Sequence, residues 1–312
     1  MFAVIFPGQG SQSLGMAKDF YDTFPTVKKI FEDVKKTSHI DINNIIFEDK
    51  ANQLNITEYT QICIFCVSIS IFSIIKEIYR DRFCNKISFM AGHSLGEYTA
   101  LTASEVIKID ECSKLLKLRG KYMQNSYPEN ESVMLAIIGL SIEKIESILQ
   151  KMENKRIFEV ANHNGISQVV LSLKKDNISE VSTTLNNNGA KKIIQLNVSA
   201  GFHSSFMELA SRNMTEEIDK LLFDDSKYPI VSNYNADATQ KSSDILYNLK
   251  QQMTNKVRWV DIVKFFEKNN VKNIIEIGPN KVLNGLNKRI SNNFTFTNVS
   301  NIKELDDLKN VL

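Results

Sequence analysis

The chain has 312 residues, of which 43% are hydrophobic and 24% are charged, a balance that is ordinary for a globular protein. This composition excludes a disordered chain, a collagen-like repeat and a small disulfide scaffold. The formal net charge is +2, from 38 basic and 36 acidic residues, so there is no electrostatic reason to expect a nucleic acid as the partner.

The first predicted element is a short apolar strand over residues 2–6. It is followed by the turn Pro7-Gly8-Gln9-Gly10-Ser11-Gln12 and by a helix that begins near Met16. A dinucleotide-binding loop of the G-x-G-x-x-G type would need glycine at position 13, where this chain has Ser13. The start of the chain also lacks the basic stretch and the cleavage site of a secretory signal. We therefore expect a cytoplasmic protein without a dinucleotide.

Residues 62–75 form the longest apolar run. A transmembrane helix needs about 20 apolar residues, so this run is predicted to be a buried core element of a protein that does not span a membrane. It contains Cys63 and Cys66 in C-x-x-C spacing, which is typical of some thiol redox sites. Because their neighbours are apolar, we expect two buried thiols in a reducing compartment instead.

A second apolar run, residues 87–90, leads into Gly92-His93-Ser94-Leu95-Gly96, and helices are predicted over residues 98–106 and 115–123. A strand, a sharp G-x-S-x-G turn and a helix form a nucleophile elbow. Its glycines leave room for a strained turn that exposes the serine hydroxyl and directs the next N–H group, here that of Leu95, at a developing oxyanion. The motif predicts that Ser94 is a nucleophile.

Between residues 128 and 198, after the turn Tyr127-Pro128-Glu129-Asn130, the pattern changes to strand, helix, strand, strand, helix, strand. This is the order of a ferredoxin-like unit. The strands are predicted at residues 132–139, 156–162, 168–173 and 191–198, and the helices at residues 141–151 and 177–187. Ser141 is the expected N-cap of the first helix.

The first pattern then resumes, with strands at residues 228–233 and 273–277 and a helix at residues 259–269. The sequence thus predicts an α/β protein with two subdomains. The large one, α/β-hydrolase-like, takes residues 1–127 and 199–312. The small one, ferredoxin-like, is inserted as residues 128–198.

A serine nucleophile needs a base, and the sequence has four histidines. His39 is expected at the surface. His93 is expected to face away from the Ser94 hydroxyl, because neighbours on a strand point to opposite faces. His163, between two asparagines, is placed to line a cleft. His203 lies where the chain returns to the large subdomain, and this position favours it as the base.

Further motifs follow in order along the chain. They are Thr60-Gln61, Leu118-Arg119-Gly120, Ala161-Asn162, Phe202-His203-Ser204, Val257-Arg258-Trp259 and Glu276-Ile277-Gly278-Pro279. With the N-terminal turn and the elbow, they resemble malonyl-CoA:acyl carrier protein transacylases and the related acyltransferase domains of polyketide synthases. The resemblance covers nearly the whole chain.

The resemblance implies that Ser94 takes a malonyl group from malonyl-CoA and passes it to the phosphopantetheine thiol of an acyl carrier protein. The setting would be fatty-acid synthesis, or a polyketide synthase served in trans. His203 would be the general base, and the N–H groups of Leu95 and Gln9 would form the oxyanion hole. Arg119 would bind the malonyl carboxylate.

By the same resemblance, the side chain or the carbonyl of Gln252 would orient the histidine. Gln61 and Asn162 would line the pocket, and the bulk of Phe202 would leave little room for an α-methyl group. The sequence has no cluster of ligand residues with zinc-like spacing, so we expect no metal or redox cofactor. We expect a monomer that meets malonyl-CoA and a mobile carrier protein.

Four positions depart from the residues that are usual in this family. Ser205 and Lys256 replace prolines, Leu173 replaces a glycine, and His163 replaces an aromatic residue. None of the four is a proposed catalytic residue, so these departures bear on the shape of the pocket more than on the reaction.

Two alternatives remain open at this point. One is an acyl-thioester hydrolase on the same elbow, which would place an acid such as Asp110 or Asp176 between the serine and the histidine in chain order. The other is a non-catalytic module that docks carrier proteins.

Overall fold

A computed structural model of the chain describes residues 1–128, 131–154 and 157–312. In these ranges the strands are β1 (Phe2–Phe6), β2 (Ile87–Gly92), β3 (Ser132–Ile138), β4 (Phe158–Gly165), β5 (Gln168–Lys174), β6 (Lys192–Gln195), β7 (Ile230–Val231), β8 (Ala238–Thr239), β9 (Asn273–Ile277) and β10 (Thr295–Val299). The helices are α1 (Lys18–Thr23), α2 (Pro25–Ser38), α3 (Ile42–Phe47), α4 (Thr57–Cys84), α5 (Leu95–Ala103), α6 (Ile109–Gln124), α7 (Ile142–Lys151), α8 (Ile178–Asn187), α9 (Glu208–Ile218), α10 (Ser242–Gln252), α11 (Trp259–Lys268), α12 (Val282–Ile290) and α13 (Ile302–Asp307).

The large sheet has the order β10-β9-β1-β2-β7-β8 within the described ranges, and its neighbouring strands are parallel except for β8, which pairs antiparallel with β7. All five residues of the central strand β1 are buried. Phe2, Val4 and Phe6 belong to the core on one face, and Ala3 and Ile5 to the core on the other. A strand covered on both faces explains why residues 2–6 are apolar without alternation.

The small sheet is antiparallel, with the order β4-β5-β3-β6 in the part of the chain that the structure describes. This is the ferredoxin-like arrangement, with α7 and α8 as the two connecting helices. The side chain of Ser141 caps α7 by accepting the N–H of Lys144, as predicted. The α/β class, with an α/β-hydrolase-like large part and a ferredoxin-like small part, is confirmed.

Some predicted bounds lie outside the described residues or stay untested. Residues 129 and 130 of the predicted turn and residue 156, the predicted start of a strand, are not among the described residues. The small sheet spans residues 132–195, inside the predicted small subdomain. The subdomain boundaries at residues 128 and 198 therefore stay a prediction.

Helix α4 is longer than the apolar run at residues 62–75, so the argument that this element is too short to span a membrane is wrong. The helix has 28 residues and a window of mean hydropathy 2.0, so by length and composition it is apolar enough to cross a membrane. The serines in the run do not end the helix, and Ser73 donates a hydrogen bond to the Ile69 carbonyl within it. Inside the protein 72% of that window is buried, as expected for a core element. Cys63 and Cys66 are free, buried thiols, and burial raises the pKa of both.

Two element bounds differ from the predictions for a reason that concerns the site. Helix α5 begins at Leu95, directly after Ser94, because the elbow turns the chain without a linker. The strand predicted at residues 228–233 is reduced to Ile230–Val231, because Asn233 leaves the sheet to bond to the elbow.

Candidate active site

The serine turn lies between β2 and α5, at the carboxyl end of the large sheet. Ser94 has φ 53° and ψ −109°, a strained backbone conformation for a residue with a side chain. A Cβ on Gly92 would lie 1.9 Å from the carbonyl carbon of Gly96, and a Cβ on Gly96 would lie 2.2 Å from the Phe6 carbonyl oxygen. Both glycines are therefore required by close backbone contact, and the predicted elbow geometry is present.

The Ser94 hydroxyl and the His203 imidazole are in hydrogen-bond contact. Ser94 Oγ lies 2.8 Å from His203 Nε2, and His203 Nδ1 lies 3.0 Å from the backbone carbonyl oxygen of Gln252. A carbonyl only accepts, so Nδ1 carries the proton and Nε2 is the acceptor that faces the hydroxyl. No carboxylate bonds to His203 among the described residues, and both Asp110 and Asp176 are exposed.

His203 is 4% exposed and has φ 54°, so it lies in the left-handed region like Ser94. Burial, and then the nearby Arg119 charge, lower the pKa of His203 to about 3. The imidazole is therefore neutral at neutral pH, which is the form that can accept the serine proton.

Two backbone N–H groups at the site have no hydrogen-bond partner within the described ranges, those of Gln9 and Leu95. Leu95 opens α5, where the helix dipole favours negative charge. The turn that carries Gln9 packs directly on the elbow, since a Cβ on Gly8 would lie 2.5 Å from the His93 carbonyl oxygen. Both donors are thus free to receive an oxyanion.

Arg119 is fully buried behind the serine. Its Nη2 donates to Ser94 Oγ at 3.1 Å and to the Gln252 side-chain oxygen at 2.9 Å, and its Nη1 donates to Gln61 Oε1 at 2.6 Å. The guanidinium carbon lies 5.3 Å from the centre of the Tyr98 ring. Arg119 Nε is a buried donor without a partner in the part of the chain that is described. The guanidinium therefore retains capacity for an acceptor.

A cavity of about 340 Å³ opens in front of Ser94. The predicted site residues Gln9, Gln61, Ser94, Leu95, Asn162, Phe202 and His203 all line it. Arg119 and Gln252 do not line the cavity and reach the site through their bonds to Ser94. Small-subdomain residues complete the wall, with apolar contributions from Met134 and Val170.

The prediction that His163 lines the cleft needs correction, and so does the reason given for His93, although the His93 ring bonds to Asn164 and not to the Ser94 hydroxyl. His93 lines the cavity, and its Nε2 lies 2.8 Å from Asn164 Oδ1. The alternation rule for strands does not apply to it, because β2 ends at Gly92. His163 is buried and lies outside the cavity lining, which its neighbours Asn162 and Asn164 provide instead.

Comparisons with known proteins agree with this geometry. The profile of the family described as "Acyl transferase domain" matches residues 3–302. The chain is 34% identical to the malonyl CoA-acyl carrier protein transacylase of Bacillus subtilis, over 93% of this chain and 90% of that protein.

Solved structures are similar over the full length. An acyl-carrier-protein S-malonyltransferase from Bartonella henselae has a TM-score of 0.95 at 31% identity, covering 100% of this chain and 99% of that one. A malonyl-transacylase solved in complex with a type II polyketide synthase acyl-carrier protein has a TM-score of 0.93 at 33% identity, covering 99% of both chains.

The chain belongs to the acyl transferase domain family.

Two of the departures from this acyltransferase family's usual residues make contacts that proline cannot. The backbone N–H of Ser205 donates to Glu159 Oε2 at 3.0 Å, and its hydroxyl also bonds to Glu159. Lys256 Nζ lies 3.2 Å from Glu146 Oε1. Proline has neither a backbone N–H nor a charged side chain, so these bonds are compatible with its replacement. Neither residue lines the cavity.

Asn233 and Glu97 belong to the site, and sequence reasoning gave them no role. Asn233 Oδ1 accepts the Ser94 N–H at 2.7 Å, and its Nδ2 donates to the Gly92 carbonyl oxygen at 2.7 Å. Asn233 therefore clamps both sides of the elbow. Glu97 directly follows the G-x-S-x-G motif, but only its tertiary contacts show what it does.

Proposed function

We propose that this acyltransferase moves a malonyl group from malonyl-CoA to the phosphopantetheine thiol of an acyl carrier protein, through an ester on Ser94. One observation carries the proposal. Ser94 Oγ lies 2.8 Å from a neutral imidazole and 3.1 Å from a fully buried guanidinium. The relatives support the same acyl group and the same acceptor, since they are malonyl transacylases and one of them was solved in complex with an acyl-carrier protein.

In the first half-reaction, His203 Nε2 takes the proton of Ser94 Oγ as the oxygen attacks the thioester carbonyl. The negative charge that develops on the carbonyl oxygen is received by the N–H groups of Leu95 and Gln9. The tetrahedral intermediate collapses by breaking the carbon–sulfur bond. The imidazolium returns the proton to sulfur, and coenzyme A leaves as a thiol.

The second half-reaction repeats these steps with another thiol. His203 Nε2 removes the proton from the phosphopantetheine thiol, sulfur attacks the Ser94 ester, and Ser94 leaves with the returned proton. The Gln252 carbonyl keeps Nδ1 protonated throughout and stabilises the imidazolium in each half-reaction. One site thus serves the acyl donor and then the acyl acceptor, which predicts ping-pong kinetics.

Arg119 is the proposed partner of the malonyl carboxylate. That carboxylate is separated from the reacting carbonyl by a single methylene, so it must lie close to Ser94 Oγ, where the guanidinium is found. Binding would exchange the neutral acceptor Gln61 Oε1 on Nη1 for a carboxylate that spans Nη1 and Nη2. A charge-assisted, bidentate pair in a buried position is stronger than the bond it replaces.

Two lining residues are proposed to shape the acyl pocket. Phe202 is 5% exposed and borders the cavity beside His203, so its ring restricts room for an α-methyl group. Asn162 offers an amide to the substrate from the small subdomain. Competition between malonyl-CoA and methylmalonyl-CoA tests this shape. We expect malonyl transfer to dominate, and a preference for the branched substrate would contradict the role of Phe202.

The proposal is tested by transfer of radiolabel from malonyl-CoA to phosphopantetheinylated carrier proteins. We expect the label on the carrier protein only when enzyme and pantetheine thiol are both present. Rapid release of free malonate without a carrier protein would favour the hydrolase. No acylation of Ser94 and no transfer would favour the non-catalytic docking module.

Three further parts of the proposal concern the protein's setting. We propose a cytoplasmic monomer that uses no metal or cofactor, since Ser94, His203 and the two N–H donors supply every group that the steps above require. Sedimentation of the purified protein tests the monomer. Activity that survives exhaustive chelation and dialysis tests the absence of a metal or cofactor requirement.

A further inference from the structure

Glu97 is a buried acid that the reaction steps above do not use. It is 2% exposed and lies in the first turn of α5, three residues after Ser94. Its Oε2 accepts the Asn233 N–H at 3.1 Å and the Gln252 Nε2–H at 2.7 Å. A single carboxylate oxygen thus joins the elbow helix to the loop after β7 and to the end of α10.

The bond from Gln252 to Glu97 fixes which way the Gln252 amide points. Its nitrogen donates to Glu97 and to the Ser94 carbonyl oxygen at 3.0 Å, which leaves its oxygen toward Arg119 Nη2 at 2.9 Å. If the amide turned over, its NH2 group would face the guanidinium donors, and its oxygen would face a carboxylate and a carbonyl. All three contacts would then be unfavourable.

We propose that Glu97 is a positioning residue that selects for a carboxylated acyl group, by orienting the Gln252 amide so that Arg119 is held against Ser94. The inference rests on the proposed function, because it takes Arg119 as the partner of the malonyl carboxylate. Glu97 does not touch the substrate. It acts through Gln252 on the guanidinium, and through Asn233 on the elbow.

Charge balance in the interior supports this role. Arg119 is fully buried, and the ion pairs found among the described residues do not include it. Glu97 is the carboxylate whose charge acts on it, across the Gln252 amide. An uncompensated buried charge is costly, so Glu97 in its ionised form stabilises the empty site while leaving the guanidinium donors available to substrate.

The experiment compares Glu97→Leu with Glu97→Gln, measuring kcat/KM for coenzyme A release from malonyl-CoA and from acetyl-CoA. Leucine accepts no hydrogen bond, so we expect the malonyl-to-acetyl ratio of kcat/KM to fall by about tenfold or more. Glutamine keeps one acceptor oxygen where Oε2 receives both bonds, so we expect Glu97→Gln to keep the ratio within about threefold of wild type.

Glu276 provides a matched control. It is also a fully buried glutamate, it accepts the backbone N–H groups of Leu283 and Asn284 at 3.0 and 2.7 Å, and it does not line the cavity. Burial raises the pKa of both Glu97 and Glu276 to about 7. We expect Glu276→Leu to lower thermal stability without changing the malonyl-to-acetyl ratio.

Equal losses for both substrates in Glu97→Leu would overturn the inference, because a merely structural role acts on both alike. A Glu97→Gln variant as unselective as Glu97→Leu would also overturn it. If Glu97→Leu fails to fold, Glu97→Asp is measured instead, because aspartate keeps the carboxylate but its side chain is one carbon too short to reach Gln252. We expect Glu97→Asp to lower the malonyl-to-acetyl ratio of kcat/KM, and an unchanged ratio would contradict the inference. A wild-type enzyme without any malonyl preference would refute the proposed function instead.

Discussion

The loops that carry Ser94 and His203 bring two strained residues together but are held in different ways. Both residues have positive φ, 53° and 54°. The turn at Ser94 is made possible by neighbours in sequence, the glycines at 92 and 96, which pack against each other and against β1, and Asn233 then clamps both sides of it. The His203 loop is fixed by the small subdomain: Ser132 Oγ accepts the Gly201 N–H at 2.9 Å, and Ser172 Oγ donates to the Phe202 carbonyl at 2.7 Å.

The nucleophile and its base are thus positioned by different parts of the chain. The strained geometry of Ser94 belongs to a five-residue motif, whereas the position of His203 depends on residues that lie about 30 and 70 positions earlier in the chain. The variants below test the nucleophile, the base, the guanidinium and the His203 loop separately, in order of expected effect.

Removing the nucleophile is expected to cause the largest loss of transferase activity. We expect Ser94→Ala to abolish the acyl-enzyme and to lower malonyl transfer by about 10⁴-fold or more, because the variant lacks the hydroxyl that bonds to His203 and would carry the acyl group. Transfer to carrier protein under steady-state conditions measures this loss. Ser73→Ala, on α4, is the control and should transfer at the wild-type rate. Retained transfer in Ser94→Ala would place the nucleophile elsewhere.

Removing the base leaves the elbow intact. We expect His203→Ala to slow acyl-enzyme formation by about 10² to 10⁴-fold, the usual range for the loss of general base catalysis. Single-turnover quench experiments with malonyl-CoA measure this step directly. An unchanged rate would mean that another group removes the Ser94 proton.

Arg119→Ala tests selection and leaves both loops in place. We expect kcat/KM for malonyl-CoA to fall by about 10² or more, with a much smaller change for acetyl-CoA, because only the malonyl group carries a carboxylate. Arg119→Lys should recover little, since lysine cannot form the bidentate pair. An unchanged preference would remove Arg119 from the acyl pocket.

The buried imidazole should make stability depend on pH. The pKa of His203 is lowered to about 3, against about 6.5 in an unfolded chain, so between these values only the unfolded state binds the proton. Stability is therefore lost as pH falls below about 6.5. From pH 7 to pH 5 the free energy of unfolding should fall by about 2 kcal/mol more in wild type than in His203→Gln. Parallel curves for the two proteins would contradict this.

Ser172→Ala disturbs only the His203 loop, and it has the smallest expected effect. The buried Phe202 carbonyl would lose its partner, so we expect the free energy of unfolding to fall by about 1 kcal/mol, and acylation to slow by less than about tenfold. Ser205→Ala is the control, because this exposed residue keeps its backbone bond to Glu159. Lower stability with an unchanged acylation rate would show that the small subdomain does not position His203.

The features that could be predicted from the sequence are those set by residues close together in the chain. Strands β1 and β9 were predicted to the residue, β1 because a strand buried on both faces is a continuous apolar run and β9 because its three isoleucines end at the Gly278-Pro279 turn. The elbow was predicted because its motif is local. Strand β10 was missed because it lies at a sheet edge and only its last residue is buried.

The contacts that complete the site could not be predicted from the sequence, because they join residues that are far apart in the chain. Asn233, whose side-chain oxygen accepts the Ser94 N–H, lies 139 positions from Ser94, and no motif around Asn233 indicates this role. The resemblance left open whether the side chain or the carbonyl of Gln252 faces His203. In the structure the carbonyl bonds to the imidazole, while the side chain bonds to Arg119 and Glu97.

The central claim is a malonyl ester on Ser94 that is discharged by a carrier-protein thiol, and peptide mapping of the acid-quenched enzyme tests it most directly. After brief reaction with malonyl-CoA, the adduct should map to Ser94. It should disappear when phosphopantetheinylated carrier protein is added, as the malonyl group arrives on the pantetheine thiol. Transfer that proceeds with Ser94 unmodified, or with the malonyl group on another residue, would contradict the account.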